Sequence, residues 1–314
     1  MRGYIAITDS DWYEFLRDRG PLDEVNFWTP SGSRRFETVE PGAPIFFKLK
    51  TPHNAIGGFG VFTRADVLPD WLAWECFGEQ NGAESFEDMR ARIEHYRRRN
   101  KIAAQPIPHV GCLVIGQPLF FREPDWVRQP SDWGLHTQQG KTYDLSAGEG
   151  RRVFEECRQR AEAQLAAIPE SHLREAARDV LARYGEGRLV LPRLGQGTFR
   201  LAVTDAYGRA CAVTGEHSLP ALDAAHIRPF GRGGQHAVTN GLLLRADIHR
   251  LFDRGYVAVS PRGEFLLSRR LVDDYANGRS YEPFRGQRLS LPRVQAHLPD
   301  ARALAWHAEN VFLS

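Results

Sequence analysis

Cysteine is scarce in this 314-residue chain, and no two of its four cysteines form a C-x-x-C pair. The sequence therefore predicts neither a structural zinc site nor a disulfide framework. No apolar run reaches the roughly 18 residues of a transmembrane helix, and the N-terminus MRGYIAITDSDW lacks the pattern of a signal peptide. We expect a cytoplasmic protein with no membrane contact.

Lysine is absent from residues 192–262, where nine arginines and five acidic residues leave a local excess of four positive charges. The net charge of the whole chain is only +2, which argues against a protein that coats nucleic acid through charge alone. The planar guanidinium group of arginine suits bidentate contacts with phosphate. An arginine-rich genome would give the same bias, so charge by itself does not decide the function.

Length and composition predict a globular protein of about two domains. Hydrophobic residues make up 42% of the chain and charged residues 25%, which are ordinary values for such proteins. We expect an α+β fold with a strand-rich domain over 1–150, a helical linker over 151–187 that breaks at Pro169, and a second domain over 188–314.

Apolar periodicity and turn residues locate the elements of the first domain. They predict strands at 2–8, 25–32 and 110–121, two strands within 41–62, and helices at 9–18 and within 68–100.

The second domain contains a histidine-bearing stretch with a regular local pattern. Residues 221–230 are typical of a strand, 231–240 of a glycine-rich loop, and 242–255 of a helix. His249 and Asp253 are four residues apart, so on a helix they share one face and can together bind a metal ion. Alternatively, Asp253 caps local structure or pairs with a neighbouring arginine.

Four motifs occur in fixed order in this domain: C-x-x-T-G at 211–215, A-A-H-I at 224–227, N-G-L-x-L at 240–244 and H-x-x-F-D-x-G at 249–255. Together with the lead-in RLGQGTFR at 193–200, they resemble a subfamily of the HNH nucleases. The resemblance covers roughly residues 190–265. Several motifs in order are far more specific than any one of them.

The resemblance implies a ββα-metal fold and hydrolysis of phosphodiester bonds with a divalent cation, Mg²⁺ or Mn²⁺. It implies that His226 is the general base and that Asn240 holds the loop and helps to orient it. It also implies that His249 is a metal ligand, with Asp253 as a candidate second ligand.

One position departs from the family pattern. Many HNH enzymes carry an Asp or His ligand directly before the catalytic histidine, where this chain has Ala225. Asp223 lies two residues before Ala225 and shares its face of a strand, so we expect it to replace the missing ligand. Taken alone, His226 is typical of a packed strand residue; the spacing to Asn240 and His249 is what favours catalysis.

Basic residues near the motifs are candidates for contacts with the DNA backbone, although any single one of them fits a solvated surface position equally well. They are Arg200, Arg228, Arg232, Arg245 and Arg250 in the second domain, and Lys48 and Lys50 in the first. His217 and His236 have the sequence context of ordinary loop residues.

The first domain resembles the PUA superfamily, whose relatives include the EVE, YTH, ASCH and SRA domains. The resemblance rests on strand order and on segments such as NFWTPSG and FFKLKTPHNAIGGFGVF. It implies a reader that flips a base and replaces its stacking with aromatic faces. The candidate pocket residues are Asn26, Trp28, Trp74, Asp125, Trp126 and Trp133. The competing interpretation is that these tryptophans form part of the core.

Together, the two resemblances predict a modification-dependent restriction endonuclease. Its partner would be double-stranded DNA carrying a modified base, in the first instance a modified cytosine. Because one HNH site cuts one strand, we expect a homodimer. The alternatives are an HNH nuclease whose first domain reads RNA or unmodified DNA, and a non-catalytic reader of nucleic acid.

Overall fold

In the computed structural model, the chain forms two compact units, Met1–Gly195 and Gln196–Ser314. The structure describes all residues except 33–35, 135, 168–170, 187–193 and 276–277. The predicted helix break at Pro169 and the predicted start of the second domain at Arg188 lie outside the described residues. None of the helices in the described part of the chain is long and apolar enough to cross a membrane.

A seven-stranded sheet forms the centre of the described part of the first unit. Its strands are β1 (Arg2–Thr8), β2 (Glu24–Thr29), β3 (Pro44–Leu49), β4 (Ala55–Pro69), β5 (His109–Phe120), β6 (Val127–Arg128) and β7 (Gly140–Asp144). The order is β2-β5-β4-β3-β1-β7, with β6 paired to β4. The β1–β3 pair is parallel, and the remaining pairs are antiparallel.

The helices of this unit are α1 (Ser10–Arg17), α2 (Asp70–Phe77), α3 (Phe86–Arg99), α4 (Gly148–Ala167) and α5 (His172–Gly185). Helix α1 begins where the Asp9 carboxylate accepts hydrogen bonds from two backbone N–H groups of the first turn. The elements predicted from the periodicity correspond to these strands and helices. The predicted helical stretch within 68–100 is divided into α2 and α3.

Helices α4 and α5 bury their apolar faces in the core of the first unit. Phe154 of α4 and Leu181 of α5 belong to one buried cluster with Ile5 of β1 and Phe46 of β3. The helical segment is therefore part of the first unit, whereas the sequence predicted a separate linker.

The second unit contains α6 (Gln196–Ala206), β8 (Leu222–His226), β9 (Gly241–Arg245), α7 (Ala246–Asp253), β10 (Val257–Val259), β11 (Phe265–Leu267), α8 (Arg270–Tyr275) and α9 (Ala301–Asn310). Strands β8 and β9 form an antiparallel pair, and α7 follows directly, which gives the ββα arrangement. Both units mix strands and helices, which confirms the expected α+β class.

The predicted helix over 242–255 is wrong in its first part. Gly241–Arg245 is a strand, and Leu242, Leu243 and Leu244 are all buried on it. Consecutive apolar residues have no period that separates a doubly buried strand from a buried helix. Pairing with β8 decides in favour of the strand, and the helix begins only at Ala246.

Candidate active site

His226 lies at the end of β8, opposite Gly241 of β9. Its ring stacks on Phe199 of α6, with 4.0 Å between ring centroids. A Cβ at Gly241 would approach Val203 to 2.4 Å, so a glycine opposite His226 allows α6 to pack this closely. Burial lowers the pKa of His226 to about 4, and charges on His236 and His249 act in the same direction. The imidazole is therefore neutral at pH 7.

A second histidine, predicted to be an ordinary loop residue, contacts the first. Nε2 of His226 lies 2.9 Å from Nδ1 of His236. The other side of His236 stacks on Phe230, with 4.7 Å between centroids. Phe230 is 57% exposed. The only sequence signal for His236 was its position in the glycine-rich loop that leads to Asn240.

Asn240 holds the loop between β8 and β9 through side-chain hydrogen bonds to the backbone of the loop. Its Oδ1 accepts a hydrogen bond from the backbone N–H of Arg228 at 2.9 Å. Its Nδ2 donates to the carbonyl oxygens of Arg228 at 2.9 Å and of Gln235 at 3.0 Å. Asn240 is buried and precedes a strand, not a helix. It thus fixes the backbone of the segment that carries His236.

His249 of α7 lies between two carboxylates. Its Nδ1 is 3.3 Å from Oδ2 of Asp223, and its Nε2 is 3.4 Å from Oδ2 of Asp253. The hydrogen bond from His249 lowers the pKa of Asp223, and the charges of Arg200 and Arg250 lower it further. Because the two carboxylates use different ring nitrogens, they do not converge on one point. Within the described residues, no group of three such side chains is gathered as a metal site.

The arginines predicted to contact the DNA backbone differ in how far their guanidinium groups are engaged by other protein groups. Arg232 and Arg250 are exposed. Arg245 forms a bidentate ion pair with Asp247, at 2.7 and 2.8 Å, which occupies its guanidinium group. Arg228 donates from Nε to the carbonyl of Arg232 at 2.7 Å. Arg228 also lies over the ring of Trp306, at 5.1 Å from the centroid.

Several of the residues predicted to form a base pocket in the first unit have hydrogen-bond partners inside the fold. Asn26 is 0% exposed, and its Nδ2 donates to Oδ1 of Asn81 at 2.8 Å. The indole N–H of Trp28 donates to the carbonyl of Asn81 at 3.0 Å. Asn26 was predicted to read the edge of a base, but its side chain is buried inside the fold. Trp74, on α2, lies 6.5 Å from the ring of Phe86.

Trp126 is half-buried elsewhere in the unit, and its indole N–H donates to the hydroxyl of Tyr13 at 3.0 Å. Trp133 is also half-buried and lies 5.4 Å from Nζ of Lys48. Lys48 is only 5% exposed, and its Nζ donates to Oδ1 of Asn54 at 3.2 Å. Burial lowers its pKa. Lys48 was predicted to contact phosphate at the surface, but its side chain is buried.

Two further residues remain near solvent. Lys50 is exposed and lies 3.7 Å from the carboxylate of Asp9. Asp125 is exposed and lines a cavity of about 690 Å³.

No curated protein matches this chain. Among solved structures, a serine-to-alanine variant of the ASCH protein from Zymomonas mobilis is 10% identical, with a TM-score of 0.34 over 49% of this chain and 94% of that one. A tyrosine-to-phenylalanine variant of the same protein is 14% identical, with a TM-score of 0.31 over 48% and 96%.

A modification-dependent restriction endonuclease, TagI, is 12% identical, with a TM-score of 0.30 over 99% of this chain and 83% of that one. The model of the HNH endonuclease family matches residues 211–260. This match contains β8, β9 and α7 together with His226, Asn240 and His249. Residues 211–260 of this chain are therefore an HNH endonuclease domain.

Proposed function

We propose that this protein is a metal-dependent DNA endonuclease whose first unit directs it to DNA carrying a modified base. The observation that carries the nuclease part is the neutral, half-buried His226 beside the Asp223–His249 pair on one ββα hairpin. A neutral imidazole accepts a proton from water, and a carboxylate–imidazole pair suits a divalent cation.

The contact between the two histidines decides which nitrogen of His226 acts. A neutral imidazole carries one proton and one free lone pair. If Nε2 accepted a hydrogen bond from His236, the proton would sit on Nδ1 and no lone pair would be left for water. His226 is a base only when Nε2–H donates to Nδ1 of His236. Nδ1 of His226 then takes the proton from the attacking water.

The described donors fit a divalent cation. Ligand atoms next to each other on an octahedral ion are about 3 Å apart, since each lies about 2.1 Å from the metal. Nδ1 of His249 and the nearest oxygen of Asp223 are 3.3 Å apart. We assign these two side chains as ligands, with Asp253 as the weaker alternative on Nε2. A bound cation would stabilise the negative charge that develops on the scissile phosphate.

Positive charge around the hairpin supports the binding of a phosphodiester. Arg232 and Arg250 are exposed, whereas Arg245 is held by Asp247. We therefore assign backbone contacts to Arg232 and Arg250 ahead of Arg245. Arg200 lies close enough to lower the pKa of Asp223 and belongs to the same positive region.

The reading of a modified cytosine is assigned to the first unit, on the strength of its similarity to the PUA superfamily. A homodimer is assigned because a double-strand break needs two HNH sites. Analytical ultracentrifugation of the full chain, with and without duplex DNA, tests the dimer. A monomer in both conditions contradicts it.

Digestion of matched plasmids tests the function directly. One plasmid carries 5-methylcytosine or 5-hydroxymethylcytosine, and the other is unmodified. We expect cleavage of modified DNA only, in Mg²⁺ or Mn²⁺, and loss of cleavage in EDTA. Equal cutting of both plasmids contradicts the base-reading part. Undiminished cutting in EDTA contradicts the metal-dependent part.

A further inference from the structure

The first unit contains a cavity of about 690 Å³ that the tryptophan-based pocket did not anticipate. Its walls come from the segment after α1, the end of β5 with the residues that follow it, and helices α4 and α5. Ligand sites for small molecules have volumes of about 300–1,000 Å³, so one nucleotide unit is within range.

Positive charge dominates the walls of this cavity. Arg17, Arg122, Arg160 and Arg174 line it, against the single carboxylate of Asp125. Arg17 is paired with its neighbour Asp18. Arg122 and Arg160 form no ion pair with any residue that the structure describes. Guanidinium groups without an ion-pair partner around one cavity favour an anionic ligand, and their planar geometry favours phosphate.

One polar residue of the wall is held in an unfavourable state. Gln117 has a backbone φ of +47°, which is the left-handed region. A strained backbone of this kind is costly and is concentrated at ligand sites. Gln117 belongs to the lining of the cavity, beside Leu119 and Phe120.

Apolar side chains form the rest of the surface. Leu22, Leu119, Phe120 and Leu165 line the same cavity. An apolar wall beside arginines corresponds to two parts of a nucleotide, the face of its base and its phosphate.

We infer that this cavity binds one nucleotide unit, with the base against the apolar wall and its phosphate at Arg122 and Arg160. Identification of that unit as the flipped target base rests on the proposed function. A free nucleotide has the same chemistry, so the experiment includes both sources.

The test uses the full chain and variants of helix α4. Ala163→Phe fills the cavity from an exposed lining position, and Arg160→Ala removes a phosphate contact. Ala166→Phe and Arg151→Ala are matched controls, because both residues lie on exposed positions of α4 outside the lining. Thermal unfolding followed by circular dichroism checks that all four variants fold.

Binding is measured by fluorescence anisotropy with duplexes that differ only in one 5-methylcytosine, and by calorimetry with free 5-methyl-dCMP. We expect Ala163→Phe and Arg160→Ala to weaken binding of the modified duplex about tenfold or more, because a charge-assisted hydrogen bond or the whole binding volume is lost. The two controls should stay within about twofold of the unaltered protein.

The outcomes separate the two proposals. If the unaltered protein prefers modified DNA and Ala163→Phe keeps that preference, the cavity assignment is overturned while the proposed function stands. If the unaltered protein shows no preference, the base-reading proposal is contradicted. The comparison of Ala163→Phe with Ala166→Phe in duplex and nucleotide binding still tests whether the cavity binds a nucleotide. Binding of free nucleotide that only the cavity variants abolish supports the site, with a free nucleotide as its ligand.

Discussion

His226 has its chemistry set by the rings around it. Phe199 stacks on one face of the imidazole, and Nδ1 of His236 lies 2.9 Å from its Nε2. Burial keeps His226 neutral, and in the proposed mechanism a hydrogen bond donated by its Nε2–H to His236 leaves Nδ1 available. The sequence identified the histidine from its motif. Phe199 and His236 are distant from His226 in the chain or lie in a loop, so no periodic pattern marked them as its neighbours.

Replacement of the base is the first prediction at this scale. His226→Ala should lower the rate of metal-dependent DNA cleavage by about 10²–10⁴-fold, since general base catalysis contributes that much. Single-turnover cleavage of a plasmid with excess enzyme measures the rate. His217→Ala, at an exposed loop position, is the control. An unchanged rate in His226→Ala would show that another group activates the water.

The second prediction concerns His236. His236→Ala should lower the cleavage rate about tenfold, because Nε2 of His226 loses its acceptor and the imidazole is no longer held in one tautomer. His236→Asn should recover much of the rate, since its amide oxygen can occupy the place of Nδ1. The ratio of the two variant rates is the readout. Equal rates would show that the ring of His236 only packs.

The carboxylates beside His249 give the third prediction. Asp223→Asn should raise the Mg²⁺ concentration for half-maximal cleavage about tenfold or more, because an ionised ligand is lost. Asp253→Asn should have a smaller effect, since the side chain of Asp253 is 57% exposed and that of Asp223 is 38% exposed. Titration of cleavage rate against Mg²⁺ measures both. A larger effect at Asp253 would indicate that the cation binds Asp253 and Nε2 of His249 instead.

At the scale of the element, the ββα hairpin contains a segment whose secondary structure the local sequence pattern does not determine. Residues 242–244 are three leucines, and a helix and a buried strand accept them equally well. Their backbone hydrogen bonds with β8 settle the matter, and these depend on a partner about 20 residues away. A helix was predicted over 242–255, and His249 and Asp253 do lie on α7, but its start was placed too early.

The loop of the hairpin depends on Asn240, which gives the fourth prediction. Asn240→Ala removes three hydrogen bonds and leaves buried backbone groups without partners. It should lower the free energy of unfolding of the second unit by about 2 kcal/mol or more and open the loop to proteases. Urea unfolding and limited proteolysis measure these effects. Gln235→Ala, an exposed position in the same loop, should change neither.

At the scale of the whole molecule, the chain forms two compact units with separate cores. The hairpin and the histidines are contained in Gln196–Ser314, and the nucleotide-sized cavity in Met1–Gly195. In the second unit, His307 of α9 stacks on Phe252 of α7, with 3.7 Å between ring centroids. Its Nε2 lies 3.1 Å from the carbonyl oxygen of Phe252, and its Nδ1 is buried with no hydrogen-bond partner among the described residues.

The fifth prediction is a loss of stability in mild acid. Burial lowers the pKa of His307 to about 4, whereas an unfolded histidine titrates near 6.5. The unfolded chain therefore binds the proton first, and the contribution of neutral His307 is complete above pH 6.5 and lost as the pH falls to 4. The loss amounts to at most about 3 kcal/mol.

Urea unfolding of the full chain at pH 7 and pH 5 measures this change. His307→Gln keeps a donor near the position of Nε2 and removes the titration, so it should show a smaller difference between the two pH values. An equal difference in both proteins would assign the acid sensitivity to other groups.

The sequence by itself determined the HNH motifs, the α+β class and most elements of the first unit, because these depend on local spacing and on periodic burial. Only the tertiary structure decided that 241–245 is a strand, that Asn26 and Lys48 are buried, and that His236 contacts His226. It also placed α4 and α5 in the core of the first unit. Each of these depends on which distant segments pack together, and a polar side chain carries no periodic signal that shows whether its partner will be protein or solvent.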